Sequence, residues 1–293
     1  MSGARDAEGA DDQTVVDQLV SLLDLEKIEE NIYRGISPEH SPVRVFGGQV
    51  AGQALVAAGR TVPAERGVHS LHAYFIRGGD PSVPILYEVD RIRDGRSFTT
   101  RRVVAIQHGK AIFALSASFH LAEEGIEHAV QMPDVDPPES LPTLPERLSG
   151  VEDRLGIHAR RRPIDLRYVN DPPWVTRENG GREGRNQVWM RADGRLPDDG
   201  LLHVCVLTYA SDMTLLDSAL ARHGVYWEMD KVLGASLDHA LWFHRPFRAD
   251  EWLLYDTESP TASGARGLAT GRFFDSDGRL IATVVQEGLL RVL

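Results

Sequence analysis

Apolar and polar residues alternate along this chain in blocks whose period changes twice. Val16, Leu19, Val20 and Leu23 recur at helical spacing. A short extended piece follows at Asn31–Gly35. From Gln49 to Ala58 nearly every residue is apolar or small, the pattern of a helix buried all round. The period then becomes two. Val68–Arg77, Ile85–Arg93, Ser97–Gln107 and Ala111–His120 read as strands, with Arg93-Asp-Gly-Arg and Gln107-His-Gly-Lys as turns between them. Five prolines between Met132 and Pro145 rule out helix and central strand there. Past a weakly patterned stretch with an extended piece at Pro163–Val169, the order returns. Asn186–Ala192 reads as a strand and Gly200–Leu220 as a second buried helical run. Leu237–Arg245, Trp252–Ser259, Gly264–Phe274 and Arg279–Leu290 read as four more strands.

The return is a repeat. Tyr74-Phe75-Ile-Arg77 matches Trp242-Phe243-His-Arg245, and Tyr87 matches Tyr255, each 168 residues on (243 − 75 = 168; 255 − 87 = 168). A fixed long offset with the same strand order marks two copies of one unit. A helix followed by an antiparallel meander must bury the helix against one sheet face, and two copies can join their sheets edge to edge. The expected class is α+β, a double hot-dog: two fused units, each a long helix wrapped by antiparallel sheet. The expected parts are a disordered tail at 1–14, an N-terminal unit at 15–121, a Pro-rich linker at 122–162 and a C-terminal unit at 163–293.

Composition narrows the function without naming it. Hydrophobic residues are 42% and charged residues 26% of the 293, as in globular domains, and no apolar run has membrane-spanning length. The net charge of −11 argues against nucleic acid as a partner. One cysteine, Cys205, cannot form an internal disulfide, and the N-terminus lacks an apolar signal core. A reducing, cytoplasmic setting is expected.

Comparing the two copies isolates candidate chemistry. With Ala54-Leu55 set against Ala219-Leu220, Gly47 falls opposite Asp212, so one copy has a carboxylate where the other has no side chain. Read as the start of a helix, Asp212 has a bland role in capping free amides and a sharper one as a general base. Ser236, expected to open a strand, and Gln286, a polar residue inside Ala282-Thr-Val-Val-Gln-Glu-Gly, are the other two candidates; a buried amide requires partners. Several temptations weigh less. Gly47-Gly48 has no Gly-Lys-Ser/Thr after it. Ser236, Asp238 and His239 lie too close in sequence on one strand to form a triad. His69/His72 and His239/His244 lack a third metal ligand at suitable spacing. Arg245, Arg248, Arg266 and Arg272 are candidate phosphate partners with an equally good reading as solvated charges.

Runs such as Arg44-Val-Phe-Gly-Gly-Gln-Val, Asp94-Gly-Arg-Ser-Phe, Tyr209-Ala-Ser-Asp, Leu237-Asp-His-Ala-Leu-Trp-Phe-His-Arg-Pro-Phe and Val285-Gln-Glu-Gly resemble the acyl-CoA thioesterase II (TesB-like) family of double hot-dog enzymes, over nearly all of the chain after the first twenty residues. The resemblance implies hydrolysis of medium- to long-chain fatty acyl-CoA to fatty acid and CoA, with no cofactor and no metal. It implies that Asp212, Ser236 and Gln286 hold the attacking water; some members carry Thr at the position of Ser236. A homodimer or homotetramer is expected. Two other readings remain. A hot-dog hydratase would want His about five residues past the Asp, where this chain has Asp217, and a non-catalytic acyl-CoA sensor would use the same pocket.

Overall fold

The computed structural model describes residues 2–38, 44–150, 162–227 and 230–293. In chain order the helices are α1 Ser2–Leu23, α2 Gly47–Gly59, α3 Leu144–Leu148, α4 Pro173–Glu178, α5 Gly200–Ser211 and α6 Asp217–Ala221. The strands are β1 Glu26–Glu29, β2 Ile32–Gly35, β3 Arg66–Phe75, β4 Ile85–Asp94, β5 Phe98–Gln107, β6 Lys110–Leu121, β7 Ile164–Tyr168, β8 Arg185–Ala192, β9 Val232–Ser236, β10 Asp238–Phe243, β11 Leu253–Ser263, β12 Arg266–Asp275 and β13 Leu280–Val292. Among the described residues no helix is long and apolar enough to cross a membrane.

The thirteen strands form one sheet in the order β1-β2-β4-β5-β6-β3-β10-β13-β12-β11-β8-β7, with β9 paired to β13. Two antiparallel halves meet where β3 pairs with β10. Tyr74 faces Asp238 and Ser70 faces Trp242 across that join. Adding 168 to Tyr74 gives Trp242, and adding it to Ser70 gives Asp238, so the offset seen in sequence is a two-fold relation in space. The sheet is the double hot-dog, and strands buried on one face supply its core. Leu71, Ile85, Tyr87, Val103 and Leu115 point inward in one half, and Leu241, Leu253, Tyr255, Phe273 and Val284 do so in the other. The predicted turn at Gln107-His-Gly-Lys forms the β5–β6 hairpin, with His108 at φ 50° and Gly109 at φ 68°, the left-handed pair such a turn needs.

The helices sit inside the curve of the sheet. Every residue of α2 from Gly48 to Gly59 is buried, because sheet lies on one side and α5 on the other. The two helices run antiparallel and nearly touch along their backbones. A Cβ at Gly48 would stand 2.3 Å from the Tyr209 carbonyl oxygen, and one at Gly52 would stand 3.2 Å from that of Cys205. Tyr87 and Tyr255 tie each helix to its sheet in the same way: one hydroxyl donates to Gln53 Oε1 at 2.7 Å, the other to the Ser211 carbonyl at 3.0 Å.

Three elements depart from the sequence pattern. Helix α1 starts upstream of Val15, within the stretch expected as a disordered tail; Ala4, Ala7, Glu8 and Ala10 favour helix without supplying an apolar stripe to detect. The single run expected at Gly200–Leu220 breaks after Ser211, and the next helix, α6, begins only at Asp217. The proline-rich stretch is irregular from 122 to 137 but not loose. Met132, Val135 and Leu141 pack on Trp189, Leu254 and Phe274, and Trp189 Nε1 donates to the Asp136 carbonyl at 2.9 Å.

Candidate active site

Asp212 is the residue that ends α5, not one that starts a helix, and this corrects its expected place. Because α2 and α5 are antiparallel, the C-terminal end of α5 meets the N-terminal end of α2. The Gly48 backbone N–H donates to the Asp212 carboxylate. The carboxylate therefore does cap a helix N-terminus, that of the other unit, where the helix dipole favours negative charge. Gly47 makes room for it: a Cβ there would lie 2.6 Å from Asp212 Oδ2. The two positions set opposite each other by the repeat are thus neighbours in space.

Ser236 closes β9 instead of opening the next strand. Its Oγ donates to Asp212 Oδ1 at 3.4 Å. Gln286 points inward from β13 and is fully buried, and its Nε2 donates to the same Oδ1 at 2.7 Å. The structure thus brings together the three side chains singled out in sequence. Burial pushes the Asp212 carboxyl up to about 6. The Gln286 amide, the Gly48 N–H and the Ser236 hydroxyl pull it back in part, since each stabilises the charged form. Its surface exposure is partial, because it forms part of a cavity wall. The direction of the shift holds either way, as protein surrounds the carboxylate on its other sides.

That cavity has a volume of about 510 Å³. Phe75, Ile112, Phe113, Met213 and Leu216 make it largely apolar, with Asp212 and Ser236 on one wall. Gln286 is absent from the lining. It stands behind the carboxylate, so its contact with a bound water is indirect in this arrangement. Arg44 and Arg77 also line the cavity; sequence reasoning missed both, although Arg44 lies inside a run already singled out. The four arginines considered in sequence lie elsewhere, and three of them hold other partners. Arg248 pairs with Asp250 and Asp198, Arg266 with Glu287, and Arg245 with Glu127 and the Leu280 carbonyl. The histidine pairs are dispersed too: His69 bonds Ser118, His72 packs edge-on against Trp242, and His244 bonds Thr283. Cys205 is buried, and burial pushes its thiol up, out of nucleophile range.

Comparison with known proteins finds relatives along nearly the whole chain. A family model described as acyl-CoA thioesterase matches residues 157–289, and one described as acyl-CoA thioesterase N-terminal domain matches residues 36–120. Acyl-coenzyme A thioesterase 8 of Mus musculus is 43% identical, covering 94% of this chain and 89% of its own length. Acyl-CoA thioesterase 2 of Haemophilus influenzae is 40% identical, over 94% of this chain and 98% of its own. The crystal structure of an acyl-CoA thioesterase II, TesB2, from Mycobacterium marinum superposes with a TM-score of 0.77 at 46% identity, covering 93% of this chain and 97% of that one.

Proposed function

The chain belongs to the acyl-CoA thioesterase II family of thioester hydrolases, and from that premise we propose that it cleaves medium- to long-chain fatty acyl-CoA with a water activated by Asp212. One observation carries this reading. A carboxylate held by Ser236, Gln286 and the Gly48 amide opens onto an apolar cavity of about 510 Å³, room for an acyl chain.

A thioester carbonyl is already electrophilic and a thiolate leaves readily, so the chemistry asks for an aligned water and a base, with no cofactor. The water sits between Asp212 and the Ser236 hydroxyl, which fix its orientation and convert a diffuse encounter into an aligned one. Asp212 takes its proton as the water oxygen bonds to the carbonyl carbon. The carbonyl then re-forms as the carbon–sulfur bond breaks, and the proton passes to the departing sulfur or to solvent. Gln286, expected to touch the water, is assigned instead to aiming the carboxylate, since it does not reach the cavity wall. Arg44 and Arg77 at the same cavity supply positive charge for the phosphates of CoA.

The base works only when ionised. Because folding raises Asp212 from 3.8 to about 6, kcat/KM should hold steady above that pH and fall about tenfold per unit below it. An acid limb near the ordinary carboxylate value would show that burial does not raise the carboxyl of the working base.

Release of free thiol from acyl-CoAs of graded chain length tests the substrate class. Thiol is expected with saturated chains, and a parallel series of acyl thioesters lacking the CoA phosphates should show a higher KM. Absorbance loss from enoyl-CoA without thiol would mark a hydratase. Binding without either signal would mark a sensor.

A further inference from the structure

Behind the proposed base lies a second buried polar pair that packing alone does not call for. The β10–β13 ladder pairs Ala240 with Val285, and its next step brings His239 level with Gln286. Both side chains are fully buried. The first unit shows what this position holds when only packing matters. His239 corresponds to Leu71 at the offset of 168. Gln286 corresponds to Ala117 one residue further on, and Leu71 pairs with Ala117 in β3–β6. Leucine and alanine fill the site at no desolvation cost, whereas a buried imidazole and amide are costly unless they bond to something.

Their bonds form a chain. Gln286 Nε2 donates to Asp212, and His239 Nε2 lies 2.9 Å from Ser211 Oγ. The atoms left over, Gln286 Oε1 and His239 Nδ1, are buried, and neither has a hydrogen-bond partner among the described residues. The two side chains stand level on adjacent strands, close enough for the Gln286 amide to favour the charged ring, with no hydrogen bond closed between them. We infer that His239 is a positioning residue: as a neutral imidazole protonated at Nδ1, it donates to Gln286 Oε1 and keeps the NH2 end of the amide turned toward Asp212.

Without that donor the amide can rotate. Its oxygen would then face an ionised carboxylate, a repulsive arrangement that removes the shortest side-chain bond holding the base. Ser211 sets the tautomer. Its one proton can go to the Thr208 carbonyl or to His239 Nε2, each 2.9 Å away, and donation to Nε2 leaves the imidazole proton on Nδ1. The ring stays uncharged at neutral pH, since burial pushes it down to about 4 while the Gln286 amide pulls the other way.

This inference rests on Asp212 being the base, and the test separates the two. In nitrogen-15 spectra of the whole protein at pH 8, with the ring assigned through its backbone amide, His239 should show a protonated Nδ1 and an unprotonated Nε2. The opposite tautomer overturns the inference whether or not any variant folds. His239→Leu, which copies the first unit, should lower kcat about tenfold with KM nearly unchanged and move the acid limb above 6. His239→Asn, which can still donate to Oε1, should recover part of the loss. If Asp212→Asn is inactive while His239→Leu matches the wild type in rate and pH profile, His239 is only packing and the base assignment stands. If Asp212→Asn is fully active, both fall.

Discussion

Asp212→Asn should lower kcat for acyl-CoA hydrolysis about 10²–10⁴-fold, the usual worth of a positioned base, and should leave the protein more stable at neutral pH than the wild type. The two effects have one cause. Folding raises the carboxyl of Asp212 from 3.8 to about 6, so the folded state binds this proton more tightly than the unfolded chain does. Where the folded state holds the extra proton, stability falls as pH rises. The loss accrues between roughly pH 4 and 6 and is complete at pH 7. A shift of this size has a ceiling of about 3 kcal/mol. Water entering the cavity beside the carboxylate reduces it to about 1–2 kcal/mol. Asparagine keeps the oxygen that accepts from Gln286 and Ser236 and carries no charge to desolvate, while the acceptor it loses beside Gly48 holds the gain to the lower end of that range. Thermal melts of the two proteins at pH 7.5 and pH 4.5 are the check. The variant should melt a few degrees higher at the first pH and near the wild type at the second. A wild-type rate in the folded variant would remove Asp212 from the mechanism, and a lower melting temperature at pH 7.5 would show that the carboxylate is not strained by burial.

The sheet was legible because strands advertise themselves twice, by alternation and, here, by recurrence. The offset of 168 seen at Tyr74/Trp242 and Tyr87/Tyr255 is the relation that sets the β3–β10 register. The helices were harder, since a segment buried all round carries no periodic stripe. After Gly200 the run to Leu220 contains no glycine or proline to mark a stop at Ser211. Asp212 was found by a comparison that matched it with the wrong residue. The alignment of Ala54-Leu55 with Ala219-Leu220 does not hold, because the second run is broken after Ser211, and Gly47 proved to be the neighbour of the carboxylate in space, not its counterpart. The comparison still led to a carboxylate with partners for a physical reason: a carboxylate among small apolar residues must be satisfied, and the antiparallel helix pair brings the Gly48 N–H to it. Ser236 and Gln286 were visible as polar residues in apolar runs. That Gln286 stands behind the carboxylate, with His239 behind it in turn, depends on which way each strand faces at the ladder and was outside what the residue string could show.

Gly48→Ala should be the most damaging glycine-to-alanine change among the described residues and should impair fold and site together. Helix propensity alone favours the substitution by about 1 kcal/mol, so any net loss reports a clash. The added carbon would lie 2.3 Å from the Tyr209 carbonyl oxygen and 2.6 Å from the Phe46 ring. A ring can turn, but a backbone carbonyl within α5 cannot, so α2 and α5 must part by about an ångström inside a core packed as densely as a crystal. Overpacking of this kind costs about 1–3 kcal/mol, and the upper end applies where the obstacle is main chain. The same movement draws the Gly48 N–H away from Asp212, which weakens a bond favouring the charged base and moves its titration further upward. The expected result is a melting temperature several degrees lower, and a kcat reduced at temperatures where the variant is still folded, with the acid limb of the pH profile above 6. Gly52→Ala is the graded control. Its Cβ would meet the Cys205 carbonyl at 3.2 Å, and the position lies a turn away from the carboxylate, so it should cost less stability and leave the pH profile in place. Gly67→Ala has nothing within 4 Å of the new carbon and should be silent in both measurements. Equal behaviour of Gly48→Ala and Gly67→Ala would mean that the two helices do not meet at Gly48, and with that contact would go the account of how the second unit's carboxylate comes to cap the first unit's helix.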